Sequence, residues 1–241
     1  MIFRLHFVML IAMDLLFYAS TLASVHILYD HVIAIGPWNR EQLLFFVSIM
    51  LAINQLSMTF VSENFWRFST FLRTGELDFF LLRPLGTIFS TFFNYIRAGS
   101  FCNIIATWSV IIYYGLQVRL DLLGWVLLFP LVLLGFILAT SIEMVIACGM
   151  FWMLEGTGLN FLRIEFQQLA RWPDFIYGSV ARRILTVIVP ILLIGSTPAH
   201  FLFDHGRILS LLAMILAVAL TWGVLAWLWR KGLRTYESAS S

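Results

Sequence analysis

Lysine is almost absent from this 241-residue chain: Lys231 is the only one, and Arg230 precedes it. A phosphate-cradling loop ending in Gly-Lys-Ser or Gly-Lys-Thr therefore cannot form in this polypeptide. Cysteine is scarce too. Cys102 and Cys148 both fall inside apolar runs, spaced neither as a disulfide framework nor as a zinc site, and read as small core residues. Charged residues make up only 12% of the chain, about half the share usual in soluble domains. The net charge of +2 is spread over scattered basic residues, which argues against nucleic acid as a partner. No His-Glu-x-x-His, no Gly-x-Ser-x-Gly and no paired acidic motif on adjoining helices occurs, so a membrane-embedded enzyme would lack its constellation.

Apolar residues, by contrast, reach 61%, and this excess must face lipid. A bilayer core of ~30 Å takes ~20 apolar residues as helix. Such runs lie near 5–28, 42–61, 96–115, 122–150, 184–203 and 208–229. They predict an all-α membrane protein of about six transmembrane helices in one membrane domain, 1–241, surrounded by membrane lipids. The first run carries Asp14 and is followed by no small-residue cleavage site, so it reads as a span rather than a signal peptide. The fourth is long for one upright crossing and implies a tilt, a break near Gly135 or Gly149, or a projecting end.

Cytoplasmic loops accumulate Lys and Arg. With the N-terminus inside, twelve basic residues fall on the inner side (Arg4, Arg67, Arg73, Arg83, Arg97, Arg163, Arg171, Arg182, Arg183, Arg230, Lys231, Arg234) and three outside (Arg40, Arg119, Arg207). Both termini are thus expected in the cytoplasm. Trp38 and Trp125 at one interface, and Trp66, Trp152, Trp227 and Trp229 at the other, fit aromatic belts. Two segments mixing charge with spaced apolar residues, 62–92 and 155–183, are expected as cytoplasmic elbows.

Within the first elbow, Thr74 suits an N-cap, Glu76 and Asp78 suit a helix N-terminus, Arg83 suits its C-terminus and Pro84 stops it. At 3.6 residues per turn, Leu77, Phe80, Leu81 and Pro84 form one apolar stripe. Such a helix either lies along a membrane surface or docks into a partner's groove.

At these residues the chain resembles the type-2 permeases of ATP-binding-cassette (ABC) exporters, in the branch carrying Arg-x-Gly-Glu-Leu-Asp-x-x-Leu-Leu-Arg-Pro-Leu after the second span; here it is Arg73 to Leu85. Gly36-Pro37-Trp38 with Glu41, Arg171-Trp172-Pro173 with Ile176-Tyr177, Ile188-Val189-Pro190, Thr197-Pro198-Ala199 and the closing Gly232-Leu233-Arg234, Tyr236 and Ser238-Ala239 are similar to further family segments. Trp172 stands where Tyr is commoner, and the first span begins at Leu5, where the family usually places a basic amphipathic elbow first. The resemblance implies that Arg73, Gly75, Glu76, Asp78, Phe80, Arg83 and Pro84 form a coupling helix received by a separate ATPase subunit dimer. That dimer would hold ATP and Mg, and this chain would bind no cofactor. It also implies a second permease chain, homologous or identical, and a place in the bacterial inner membrane. Pairing has a physical reason as well, since one six-helix unit alone would expose a polar path to lipid.

Polar groups inside the spans mark a candidate translocation path: Asp14, Asn54, Gln55 and Glu143, with Asn103 beside them. Asp14 and Glu143 serve either a pathway or a structural pair with an Arg such as Arg97, and the amides suit interhelical hydrogen bonds. The same two acids support a second reading, an ion-gradient-driven transporter or channel. The chain also repeats a His-x-Leu-aromatic-Asp-His pattern, at His26 to His31 and His200 to His205. Helical spacing puts His26 over Asp30 and His200 over Asp204. The two pairs form either an outer zinc or proton-sensitive gate or two independent polar helix ends.

Overall fold

A computed structural model describes residues 2–32, 35–153 and 155–236, with side chains from Val8 onward in the first helix; Ser238-Ala239 and the Arg4 side chain lie outside the described residues. α1 (Ile2–His31) leads to a turn whose Asn39 starts the next helix. Asn39 Oδ1 accepts from the Gln42 N–H at 2.9 Å and Gln42 Oε1 accepts from the Asn39 N–H at 3.0 Å, a reciprocal cap for two otherwise unpaired donors. α2 (Arg40–Phe60) continues past a break at Val61 into α3 (Ser62–Thr74), 35 residues together. At 1.5 Å per residue that is ~52 Å, so one end projects beyond any ~30 Å apolar layer. α4 (Leu77–Leu81), α5 (Thr87–Phe92), a 3₁₀ turn Ala98–Ser100 and α6 (Phe101–Gln117) follow. α7 (Leu122–Ala147) is capped by Asp121, which accepts from the Gly124 N–H at 2.8 Å, and a 3₁₀ turn Cys148–Trp152 prolongs it. Then come α8 (Thr157–Ala170), α9 (Ser179–Arg183), a π turn Ile184–Ile188, α10 (Leu193–Phe203) and α11 (Ile208–Thr235).

Among the described residues, five helical stretches are long and apolar enough to cross a membrane: Val8–His31, Arg40–Thr74, Ala98–Gln117, Leu122–Trp152 and Ile208–Thr235. They fall on the first, second, third, fourth and sixth expected spans. The fourth changes character at the 3₁₀ turn containing Gly149 and runs unbroken through Gly135.

The expected fifth span is not one helix. Residues Ser179–Ile188 and Leu193–Phe203 meet at 100°. Val189 is extended, and Pro190 brings no N–H to continue a ladder. α10 packs deep between α2 and α7. A methyl on Gly195 would collide with the Met50 side chain, so glycine permits this approach without displacing Met50.

Residues 155–183, expected as an elbow on one side, instead run from one end of the bundle to the other. Gly156 lies against Ser69 of α3, Arg163 reaches Glu143 of α7, and Phe175 packs edge-on to Trp38, at the start of α2, with ring centroids 4.9 Å apart. α2 and α7 occupy the centre: α2 contacts α1, α6, α7 and α10, and α7 contacts α8, α10 and α11. Two expected belt tryptophans belong to the core. Trp38 sits among Phe46, Phe175, His200 and Phe203, and Trp229 among Phe68, Phe92 and Phe151, donating from Nε1 to Thr87 Oγ1 at 2.9 Å.

Candidate functional site

Between α1, α2, α7 and α8 lies a cavity of about 290 Å³, closed toward the bent segment by Ile191 and Ile194. Its walls are largely apolar, from Val47, Met50, Leu51 and Ile53 of α2 to Ile142 of α7 and Phe166 of α8. Polar groups also line it, from Ser20, Thr21 and Ser24 of α1 and Asn54 and Ser57 of α2 to the polar row on α8. Arg163 Nη1 donates to Glu143 Oε2 at 2.8 Å, and Gln167 Nε2 donates to Glu143 Oε1 at 2.5 Å. The Arg163 and Glu143 side chains are only 3% and 4% exposed, so neither charge is tolerable without the other. Arg163 also lies over the Phe65 ring at 4.6 Å, a cation–π contact of ~1–2 kcal/mol when desolvated. On the α1 side, Arg171 stands over the Phe17 ring at 5.1 Å.

The expected path residues divide. Asn54 and Glu143 line the cavity. Asp14 and Gln55 instead tie helices: Asp14 Oδ2 accepts from Asn103 Nδ2 at 2.8 Å, joining α1 to α6, and Gln55 Oε1 accepts from the Tyr18 hydroxyl while its Nε2 donates to Ser100 O at 2.7 Å. The partner of Glu143 is Arg163, not Arg97, and Asp14 bonds an amide rather than an arginine. Arg163, Gln167 and Arg171 were missed in the sequence, although their spacing of four places them in one row along a helix.

At the α3 end, the segment after Gly75 differs from expectation. α3 runs through Thr74, whose hydroxyl donates back to Thr70 O, and Gly75 at φ 76° closes it in the left-handed conformation that glycine adopts freely. Thr74 is therefore the end of one helix and not the cap of the next, which is the single turn α4. Leu77 and Phe80 face inward, with Phe80 on Phe71 at 5.0 Å. The outward apolar face is a different one: Phe79 (70% exposed), Leu82 (83%) and Leu85 (57%). Arg73, Glu76, Arg83 and Pro84 are exposed around it. Arg83 lies over Phe80 and donates to Asn94 Oδ1 at 2.7 Å. Asp78 neighbours Tyr236, whose hydroxyl is pushed above the usual tyrosine range by burial first and by that carboxylate second.

At the opposite end the two His-x-Leu-aromatic-Asp-His copies do not form the expected internal pairs. His26 Nδ1 accepts from Arg40 Nε at 2.9 Å and Asp30 lies 3.7 Å from Arg40. His200 reaches Asp174 at 2.9 Å, where Arg182 also binds, and Asp204 pairs with Arg207 at 3.5 Å. Among the described residues no group of three or more His, Cys, Asp or Glu is placed to hold a metal. His26 and His200 have gone to neighbours that helical spacing could not reveal.

Among the described residues, five long apolar helices, one bent helical pair and a charge pair sealed between α7 and α8 define a multi-pass helical membrane protein. A sequence profile of the ABC-2 family transporter proteins matches residues 15–240, nearly the whole chain, and the protein belongs to that family. It is thus the membrane permease component of an ABC transporter, a component that is typically non-catalytic and works with an ABC ATPase. No curated protein and no solved structure gives a significant match.

Proposed function

We propose that this chain is the permease subunit of an ATP-driven exporter, pairing with a second permease, identical or related, and engaging an ATPase dimer through the segment from Arg73 to Leu85. The observation that carries this reading is the outward apolar face of Phe79, Leu82 and Leu85, ringed by Arg73, Glu76 and Arg83. Three large apolar groups in a row, with charges of both signs at the rim, have the composition of a docking surface. ATP and Mg are held by the partner. The substrate is hydrophobic or amphiphilic, and its route passes the Glu143–Arg163 side of the chain.

In this reading the end bearing α4 faces the cytoplasm of a bacterial inner membrane. The fifth crossing is the segment from Thr157 to Ile176, and residues 179–203 re-enter from the opposite side and return to it. Arg163 and Gln167 of this segment are held by Glu143, so these two polar groups avoid lipid. The basic-residue balance becomes less one-sided. Arg182 and Arg183 move to the Trp38 end, Arg163 and Arg171 fall between the two ends, and eight basic residues remain on the α4 side against five on the other. That still favours the α4 side as cytoplasmic.

The experiment is affinity purification from native membranes in mild detergent followed by mass spectrometry. Recovery of an ABC ATPase and a second permease is the expected result. A chain that is isolated alone and transports without ATP contradicts the reading and restores an ion-driven one.

A further inference from the structure

The charges lining the cavity do not balance. Among the described residues lining it, Glu143 is the one acid, while Arg163 and Arg171 both contribute. Glu143 is already bonded at both oxygens, by Arg163 and Gln167. Arg171 has no carboxylate within ion-pair reach among the described residues, and its contact there is the Phe17 ring. Arg163 Nε is buried without a hydrogen-bond partner.

Depth makes this imbalance consequential. Phe17 precedes Tyr18, which is bonded to Gln55 in the sixteenth position of α2, ~22 Å from the helix start. Arg171 therefore sits near mid-bundle, not at a headgroup surface. An unpaired guanidinium at that depth is costly on insertion scales, and Arg171 is exposed at the cavity rather than sealed in the bundle. The cavity is at the small end of ligand pockets, which run ~300–1,000 Å³, with apolar walls leading away from the cations.

We propose that this cavity binds an amphiphile with an oxyanion head, a phosphate or a carboxylate, whose charge is met by Arg171 and whose chain follows the apolar face of α2. Arg171, with its fork of donors, is the recognising group. Arg163, held by Glu143, supplies a second donor from the floor. This names the substrate class of the exporter proposed above and rests on that reading for its physiological meaning, but the binding itself needs no ATPase.

The test is photolabelling of the full chain in phosphatidylcholine nanodiscs. The probes are a long-chain alkyl phosphate carrying a diazirine near its head and an alkyl trimethylammonium of the same length, with the labelled peptides mapped by mass spectrometry. The phosphate probe is expected to label the cavity segments of α1, α2 and α8, and the ammonium probe to spare them. Arg171→Gln lowers that labelling about tenfold, the loss of one charge-assisted contact, while Arg171→Lys keeps most of it and controls for folding. Equal labelling by both probes, or labelling unchanged in Arg171→Gln, overturns the proposal. Phosphatidylglycerol added to the nanodisc separates two sources of the same chemistry: if it competes the label away, the occupant is a bilayer lipid, and if it does not, a free amphiphile. Failure to recover an ATPase from membranes would leave this labelling intact, and absence of labelling would leave the permease assignment intact.

Discussion

Glu143 and Arg163 show how a charge enters a membrane protein at tolerable cost. Each is nearly sealed and the two charges pair, with Gln167 completing the carboxylate. Removing one partner strands the other, at ~3–5 kcal/mol. Glu143→Leu or Arg163→Leu alone should therefore lower the melting temperature in detergent substantially, whereas the double replacement should be much less destabilised than the sum of the two. Additive losses would mean the pair is not coupled. The acid was visible in the sequence as an ionisable residue inside an apolar run. Its partner was not, because Arg163 sits in a segment whose mean polarity resembles a surface loop. Only contact with α7 shows that this polarity is inward-facing. Asp14 was equally visible, and its role as an acceptor for Asn103 depends on how α1 leans on α6, which no local pattern specifies.

Among elements, the apolar runs at the first, second, third, fourth and sixth positions were legible because length and composition alone decide whether a helix can cross a bilayer. The run at 184–203 has the same composition as those, and what distinguishes it is geometry: an extended Val189 before Pro190 and a glycine that lets α10 wedge against Met50. α8 is short and polar, and the segment it belongs to reaches from Ser69 of α3 to Trp38 at the start of α2. The stripe at Leu77 and Phe80 was read correctly as apolar but not as self-covered, since Phe71 from α3 occupies it. These assignments are checked by cysteine labelling in a background lacking Cys102 and Cys148. A cysteine at Val180 should react with a membrane-impermeant maleimide from the same side as one at Arg119, and from the side opposite to one at Arg73. Reaction of the Val180 and Arg73 positions from one side would return residues 155–183 to the cytoplasm.

For the whole molecule, the architecture places two features at a distance from each other: a cavity with excess positive charge in the middle and an apolar face at the α4 end. The linking element is α2 with α3, nearly continuous between them, while α11, whose Trp229 is bonded to Thr87 just beyond the α4 segment, packs on α7, which lines the cavity. An ATPase gripping that segment would thus hold helices that reach the cavity wall. The most direct measurement of this account is the amount of ATPase retained when the tagged chain is purified from native membranes as wild type, as a Phe79→Asp, Leu82→Asp double variant, and as a Gln117→Asp control at the far end of α6. Burying two such side chains contributes ~1.5–3 kcal/mol each, so the double variant should retain at least about tenfold less ATPase while the control matches wild type. Equal retention by all three would contradict the account.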